Sequence, residues 1–196
     1  MSLRLESLRG AEIATQLDAL AGLRIAVFRE WPYLYEGSRE YEKRYLQTYL
    51  ECPRSLAVLV WDGANCVGAS TVQPLADSPA DMQKPFIDAG MDLSRIDYFG
   101  ESVLLRAYRG QGLGVKFFEL REAHARSLGL STCAFCAVQR EDDDPRRPAG
   151  YVANDAFWIK RGYRKQPDLR TSLSWPDVGQ SASSVKPMTF WTREIA

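Results

Sequence analysis

Two hydrophobic periods alternate along this chain, and together they predict a mixed α/β unit. Leu3 to Leu8 alternates well enough for a first strand. Ile13, Leu17, Leu20, Ala21 and Phe28 then fall at helical spacing, which predicts an amphipathic helix from Ala11 to Arg29. Trp31 to Gly37 holds a proline, a glycine and the rings of Trp31, Tyr33 and Tyr35, so it reads as a loop. A second helix fits Ser38 to Glu51, with Tyr41, Tyr45 and Tyr49 at steps of four as a packing stripe. Ser55 to Trp61 is nearly continuous apolar sequence, a buried strand; Asp62 to Asn65 turns it and Cys66 to Leu75 returns. Ala76 to Leu93 carries prolines, acids and one short helical stretch.

The second half repeats the alternation. A strand is expected from Arg95 to Leu105, a helix from Gly112 to Leu128 ended by Gly129, and a strand from Ser131 to Gln139. Glu141 to Gly150 is a charged, proline-containing loop, after which Asn154-Asp155 stands where it can cap a short helix ending at Gly162. Leu169 to Trp175 and Met188 to Arg193 predict two last strands, separated by a long polar loop from Pro176 to Pro187. The order implies an α/β fold in one domain over residues 1–196, a mixed central sheet of about seven strands flanked by helices.

Composition narrows the function classes. The hydrophobic share of 45% and charged share of 26% are ordinary for a globular chain. Lys+Arg and Asp+Glu both number 25, so no basic field points to nucleic acid. No apolar run approaches membrane-spanning length, and Met1 to Glu6 shows no signal-peptide core. Cys52, Cys66, Cys133 and Cys136 are scattered on apolar runs, which suggests a reduced, cytoplasmic protein without structural disulfides.

The chemistry concentrates at Arg109-Gly110-Gln111-Gly112-Leu113-Gly114, between a strand and a helix. Glycines let several backbone N–H groups converge, and the helix start adds unpaired donors and the positive end of its dipole. Such a turn holds phosphate or pyrophosphate. It is not a Walker loop, because Val115-Lys116 follows the last glycine. Nor is it a dinucleotide fingerprint, because the glycines are spaced two apart. The pattern Arg109-x-x-Gly112-x-Gly114 resembles the coenzyme A pyrophosphate loop of the Gcn5-related N-acetyltransferases (GNAT). The segment from Asn154 to Tyr163 resembles that family's later Asn…Tyr-x-x-x-Gly-Phe helix.

By that resemblance the N–H groups of Gly110, Gln111, Gly112, Leu113, Gly114 and Val115 would hold the pyrophosphate of acetyl-CoA, with Arg109 heading the motif. Asn154 would meet the pantetheine arm, and the backbone of Val103, Leu104 and Leu105 would bond pantetheine where two parallel strands splay. The Leu104 N–H would serve as oxyanion donor. Arg106 stands where the family usually has proline. Glu101, in a strand expected to be central, would be the general base, often through water. Its bland alternative is a carboxylate paired with an arginine such as Arg95 or Arg106. The family's frequent acid, a tyrosine, aligns with Trp158, whose indole cannot protonate a thiolate. Either Tyr151, Tyr163 or water protonates coenzyme A, or no acid is required, since a thiol pKa near 8.5 makes the thiolate a tolerable leaving group.

Two loops are candidates for the acceptor: the aromatics Trp31, Tyr33 and Tyr35, and the acidic run Glu141 to Asp144. The latter reads equally as a solvated loop offset by Arg146 and Arg147. The loop after Trp175 could cover the site or carry a homodimer contact. Cys133 and Cys136 lie three apart, on opposite faces of a strand, and no second Cys/His pair accompanies them. They read as core residues and no metal is expected. His124, the only histidine, sits in an apolar stripe and reads as buried and hydrogen-bonded. The expected activity is transfer of an acetyl or short acyl group from coenzyme A to a primary amine, on a small molecule or a peptide, by direct attack. The alternative is a regulatory module that binds acyl-CoA without turnover.

Overall fold

The computed structural model describes residues 3–195. Seven strands form one sheet: β1 (Arg4–Leu8), β2 (Leu56–Asp62), β3 (Asn65–Pro74), β4 (Ile96–Leu104), β5 (Thr132–Val138), β6 (Arg164–Pro176) and β7 (Ser183–Glu194). Their order across the sheet is β1-β2-β3-β4-β5-β7-β6. Only β4 and β5 run parallel; all other neighbours are antiparallel. The helices α1 (Leu17–Phe28), α2 (Arg39–Glu51), α3 (Ala80–Asp88), α4 (Leu113–Ser127) and α5 (Asp155–Lys160) cover both faces.

Each face has its own core. On one side α4 packs Leu113, Phe117, Phe118 and Ala125 against Val58, Phe99, Phe135 and Trp191. On the other, Leu20, Leu23, Leu46 and Tyr49 from α1 and α2 lie on Ala57, Leu59 and Val103. Strand side chains alternate between the two faces, and one extra residue in β4 near Gly100 shifts that alternation, so Phe99 and Val103, four apart, sit in different cores. Cys133 and Cys136 divide in the same way, one within the α4 face and the other beside Tyr98 on the opposite side, and all four cysteines are free thiols. His124 is buried between Asp97 Oδ2 and the Arg54 carbonyl, each 2.8 Å from a ring nitrogen, as its place in the stripe implies.

Two expectations change. The first predicted helix is broken: Gly10–Gln16 is a 3-10 turn and the α-helix starts at Leu17. The short helical stretch expected within Ala76 to Leu93 is present as α3, with Pro85 inside it. The last two strands are also much longer than their apolar cores. They form a hairpin whose turn is residues 177–182, so the second part of the polar stretch after Pro176, from Ser183 on, belongs to β7. β6 is an edge strand with one face toward solvent, and its exposed polar residues hide the strand period.

The centre of the sheet is irregular where the chemistry is expected. β3 and β4 slip between Ser70↔Ser102 and Val72↔Phe99, so Thr71 alone opposes Gly100 and Glu101, a bulge. Gly100 is required there: a Cβ would lie 1.8 Å from the Tyr49 hydroxyl oxygen and 2.6 Å from Thr71 Oγ1. Gly100→Ala is expected to destabilise the fold by about 1–3 kcal/mol or more. Adding Tyr49→Phe should recover part of that loss in chemical denaturation, because it removes the nearest obstacle.

Candidate active site

The parallel pairing of β4 and β5 ends early. It joins Ile96–Tyr98 to Thr132–Ala134, while β4 continues to Leu104 and β5 to Val138 with no ladder between them. Beyond Tyr98 the two strands part. Leu105 N–H donates to the Val67 carbonyl of β3. Antiparallel ladders alternate, so Leu104 N–H turns to the other side, toward the gap, whereas those of Val103 and Leu105 face β3. Of the three backbone candidates, Leu104 is the one the register opens to a ligand.

The glycine turn lies at the exit of that gap. Gly110 (φ 77°) and Gly112 (φ 82°) occupy the left-handed region, and a Cβ at either would meet nothing within 4 Å. Open space is thus not what excludes side chains here; the backbone conformation is. Gly112 is the N-cap of α4 and offers no side-chain cap. The first helical bond runs from Lys116 N–H to the Gly112 carbonyl at 3.1 Å, so the N–H groups of Leu113, Gly114 and Val115 have no acceptor in the helix. Gln111 folds back to the Ala107 carbonyl. Arg109 donates to the Leu104 carbonyl and, bidentately, to Glu30 at 2.9 and 3.1 Å, tying the turn to the end of β4 and to the segment after α1. Asn154 is the exposed N-cap residue of α5 with no side-chain cap bond, and Phe157 of that helix packs 3.6 Å from a Cβ position on Gly114.

Glu101 points to the α1/α2 face and is 2% exposed. Its partner is neither Arg95 nor Arg106 but Arg24 of α1, whose Nη1 donates to Glu101 Oε2 while its Nε donates to Glu42 Oε2 of α2. The Tyr45 hydroxyl adds a 3.4 Å bond to Glu101 Oε2, and the Arg24 guanidinium lies 4.0 Å from the Tyr45 ring centre. Glu42 Oε1 and Glu101 Oε1 are buried without a partner. Burial pushes the Glu101 carboxyl above its ordinary range, against the opposing pull of Arg24 and of Thr71. Behind the bulge, Arg121 of α4 donates to the Thr71 and Glu101 carbonyls and to Ser102 Oγ. It touches no carboxylate, and burial pulls its guanidinium down to about 10. Ser102 therefore faces α4 and is held by Arg121.

Arg24, Glu42 and Arg121 have no role in the site expected from sequence, where Tyr45 counts only as part of a packing stripe. The signal was present: each lies on the inward stripe of its helix, Arg24 beside Leu20 and Leu23, Glu42 in step with Leu46 and Tyr49. A charge inside an apolar stripe needs a buried partner.

The aromatic loop closes over the same face. The Tyr33 ring lies between Phe28 (4.5 Å) and Trp175 (5.8 Å), and Trp31 meets Tyr151 edge-on at 6.1 Å. Tyr35 is buried against Trp175 and Tyr41, its hydroxyl near Glu42 but not in hydrogen-bond geometry with it, so it packs more than it faces outward. Asp142 and Asp144 are bound by Arg147 and Arg146, the offset the sequence offered as one reading of the acidic loop. Tyr163 donates to Glu122 beneath α4, and Trp158 packs between Phe135 (5.0 Å) and Trp191 (5.1 Å).

Among the described residues no cluster of His, Cys, Asp and Glu could hold a metal, and no helix is long and apolar enough to cross a membrane. No protein-family model and no curated protein matches the sequence. Solved structures match the fold over nearly its whole length. An N-acetyltransferase from Staphylococcus aureus Mu50 aligns with TM-score 0.62 at 9% identity, covering 99% of both chains. The ribosomal-protein-S18-alanine N-acetyltransferase from Escherichia coli aligns at 0.60 and 14%, covering 100% of this chain and 95% of that one. An aminoglycoside 6'-N-acetyltransferase complexed with coenzyme A aligns at 0.59 and 14%, covering 98% and 97%. With its splayed parallel pair, glycine turn and seven-stranded mixed sheet, this chain carries the GNAT fold.

Proposed function

We propose that this chain is an acyl-CoA-dependent N-acyltransferase that moves an acetyl or short acyl group to a primary amine of a small molecule or peptide. The observation that carries the reading is the convergence of three features at one break in the sheet. These are a gap opened between β4 and β5, a turn of unpaired N–H groups at its exit, and a buried carboxylate at the bulge beside it.

The residues fit coenzyme A in kind. N–H groups of Gly110–Val115 suit a pyrophosphate, with Arg109 contributing charge while its donors hold Glu30 and the Leu104 carbonyl. Leu104 N–H suits pantetheine or the thioester oxygen, and Asn154 stands exposed at the start of α5, beside the first turn of α4. In the reaction Glu101 accepts the amine's proton, through water since its free oxygen is enclosed. The nitrogen then bonds the acyl carbon while the C–S bond breaks, and the Leu104 N–H steadies the oxyanion. Coenzyme A leaves as a thiolate, which an ordinary thiol pKa near 8.5 makes tolerable without a dedicated acid, and the second proton of the attacking nitrogen passes to that thiolate or to solvent as the amide forms. Trp31 and Tyr33, half-buried near this face, are the acceptor contacts; Tyr35 supports them. Free thiols suit the cytosol.

Trp158 supports a second reading, a module that holds acyl-CoA without turnover. One experiment separates them. Acetyl-CoA should bind in calorimetry and raise Tm, and a broad amine panel should release free coenzyme A. Binding without release favours the second reading, and absence of binding at millimolar acetyl-CoA ends both.

A further inference from the structure

We propose that Glu42 sets the proton affinity of Glu101 through the guanidinium they share. For its catalytic consequence this rests on Glu101 being the base. Arg24, Glu42 and Glu101 are 6%, 0% and 2% exposed, so solvent screens none of them. A carboxylate held alone by a buried guanidinium is a weak base, because an adjacent cation lowers its pKa by about 1–3 units. Here Nε of the same guanidinium serves Glu42, which divides the cation between two acids and sets a like charge near Glu101. Each acid keeps one buried oxygen without a partner, so neither is fully satisfied.

The remaining groups around Glu101 do not replace this control. From α2 the Tyr45 hydroxyl donates to it, and Tyr49 lies over neighbouring Gly100. From β3, Thr71 Oγ1 accepts from the Glu101 N–H. From α4, Arg121 reaches the Glu101 carbonyl, not its carboxylate. Tyr35 approaches Glu42 without bonding it. Glu42 is therefore the one second carboxylate among the described residues that shares the cation of Glu101. It is a positioning residue: it contacts Arg24, and Arg24 contacts the base.

Carbon-detected NMR of the glutamate carboxyls tests this in the protein without any acceptor. Glu42→Gln should move the Glu101 midpoint down by about one pH unit, and Arg24→Gln should move it up. Opposite signs from two neighbours in one cluster are not what loss of packing produces. An unmoved Glu101 midpoint in a folded Glu42→Gln variant overturns the proposal. Should that variant not fold, Glu42→Met is read in its place, with the same downward shift expected and an unmoved midpoint overturning the proposal. Where the NMR midpoint moves but the acid limb of kcat/KM stays in place, the assignment of Glu101 as base fails and the coupling stands.

Discussion

Replacing Glu101 by Gln should lower kcat by about 10²–10⁴-fold while leaving acetyl-CoA affinity close to that of the wild type. The amine acceptor is protonated near neutrality, with a reference pKa of about 10 for a lysine-like group. Some group must therefore remove a proton, and Glu101 is the buried carboxylate at the bulge of the strand that borders the gap. Burial raises its carboxyl above the ordinary range. The charged form is the active one, so activity should fall as pH drops through that raised value, and the fall should be absent from Glu101→Gln. Glutamine keeps the size of glutamate, and its amide oxygen can still accept from Arg24, so the variant should fold. Its contacts lie on the α1/α2 face, whereas the cofactor turn lies at the start of α4. Calorimetry of acetyl-CoA together with a pH series of coenzyme A release checks both halves. Undiminished kcat in the variant would remove Glu101 from the mechanism.

What could be read in advance followed the locality of the forces. The glycine turn, the helix after it and the strand before it are consecutive in sequence, and their signals are backbone signals: positive φ at Gly110 and Gly112, and a helix stop at Gly129, where Leu130 N–H reaches back to the Ala125 carbonyl. The order of elements was legible for the same reason. The partner of Glu101 was not. Arg24 lies 77 residues away and Glu42 another 18 from Arg24, and only the packing of α1 and α2 across β4 brings them together. The sequence offers arginines near Glu101 in the chain, Arg95 and Arg106, but Arg95 is spent on Ser131. Likewise Tyr45 looked like a packing residue because it shares a stripe with Tyr49, and nothing local shows that its hydroxyl ends beside a carboxylate. The β6–β7 hairpin was misjudged because an edge strand needs hydrogen bonds more than apolar side chains.

Asp177→Asn should cost about 3 kcal/mol of stability at pH 7, and the loss should shrink as the pH falls toward 2. Asp177 is 4% exposed and accepts from three cations: Arg140 at 3.0 and 3.2 Å, Arg146 at 2.6 Å and Lys186 at 3.1 Å. Burial alone would raise its pKa, but bonds from Arg140, Arg146 and Lys186 outweigh that and hold it at about 2. A depressed carboxylate contributes stability above its unfolded pKa of about 4 and loses it as pH falls through the folded value. Wild type and variant should therefore converge between pH 4 and pH 2, since protonated aspartate is nearly an isostere of asparagine. Asp144, also held at about 2, is bound by the same Arg146, so the difference is read in an Asp144→Asn background that removes its titration from both proteins. The consequence reaches the acceptor side. Arg140 also donates to the Pro32 and Tyr33 carbonyls, and Val178 N–H bonds the Leu34 carbonyl, so this one carboxylate fastens the aromatic loop to the end of β5 and the β6–β7 turn. Denaturant unfolding of both proteins from pH 7 to pH 2.5 measures the convergence, and a gap that stays constant across that range would show that the Asp177 charge contributes nothing. Amine KM should rise in the variant more than kcat falls, because loosening the loop misplaces Tyr33 and Trp31 while leaving Glu101 in its own cluster.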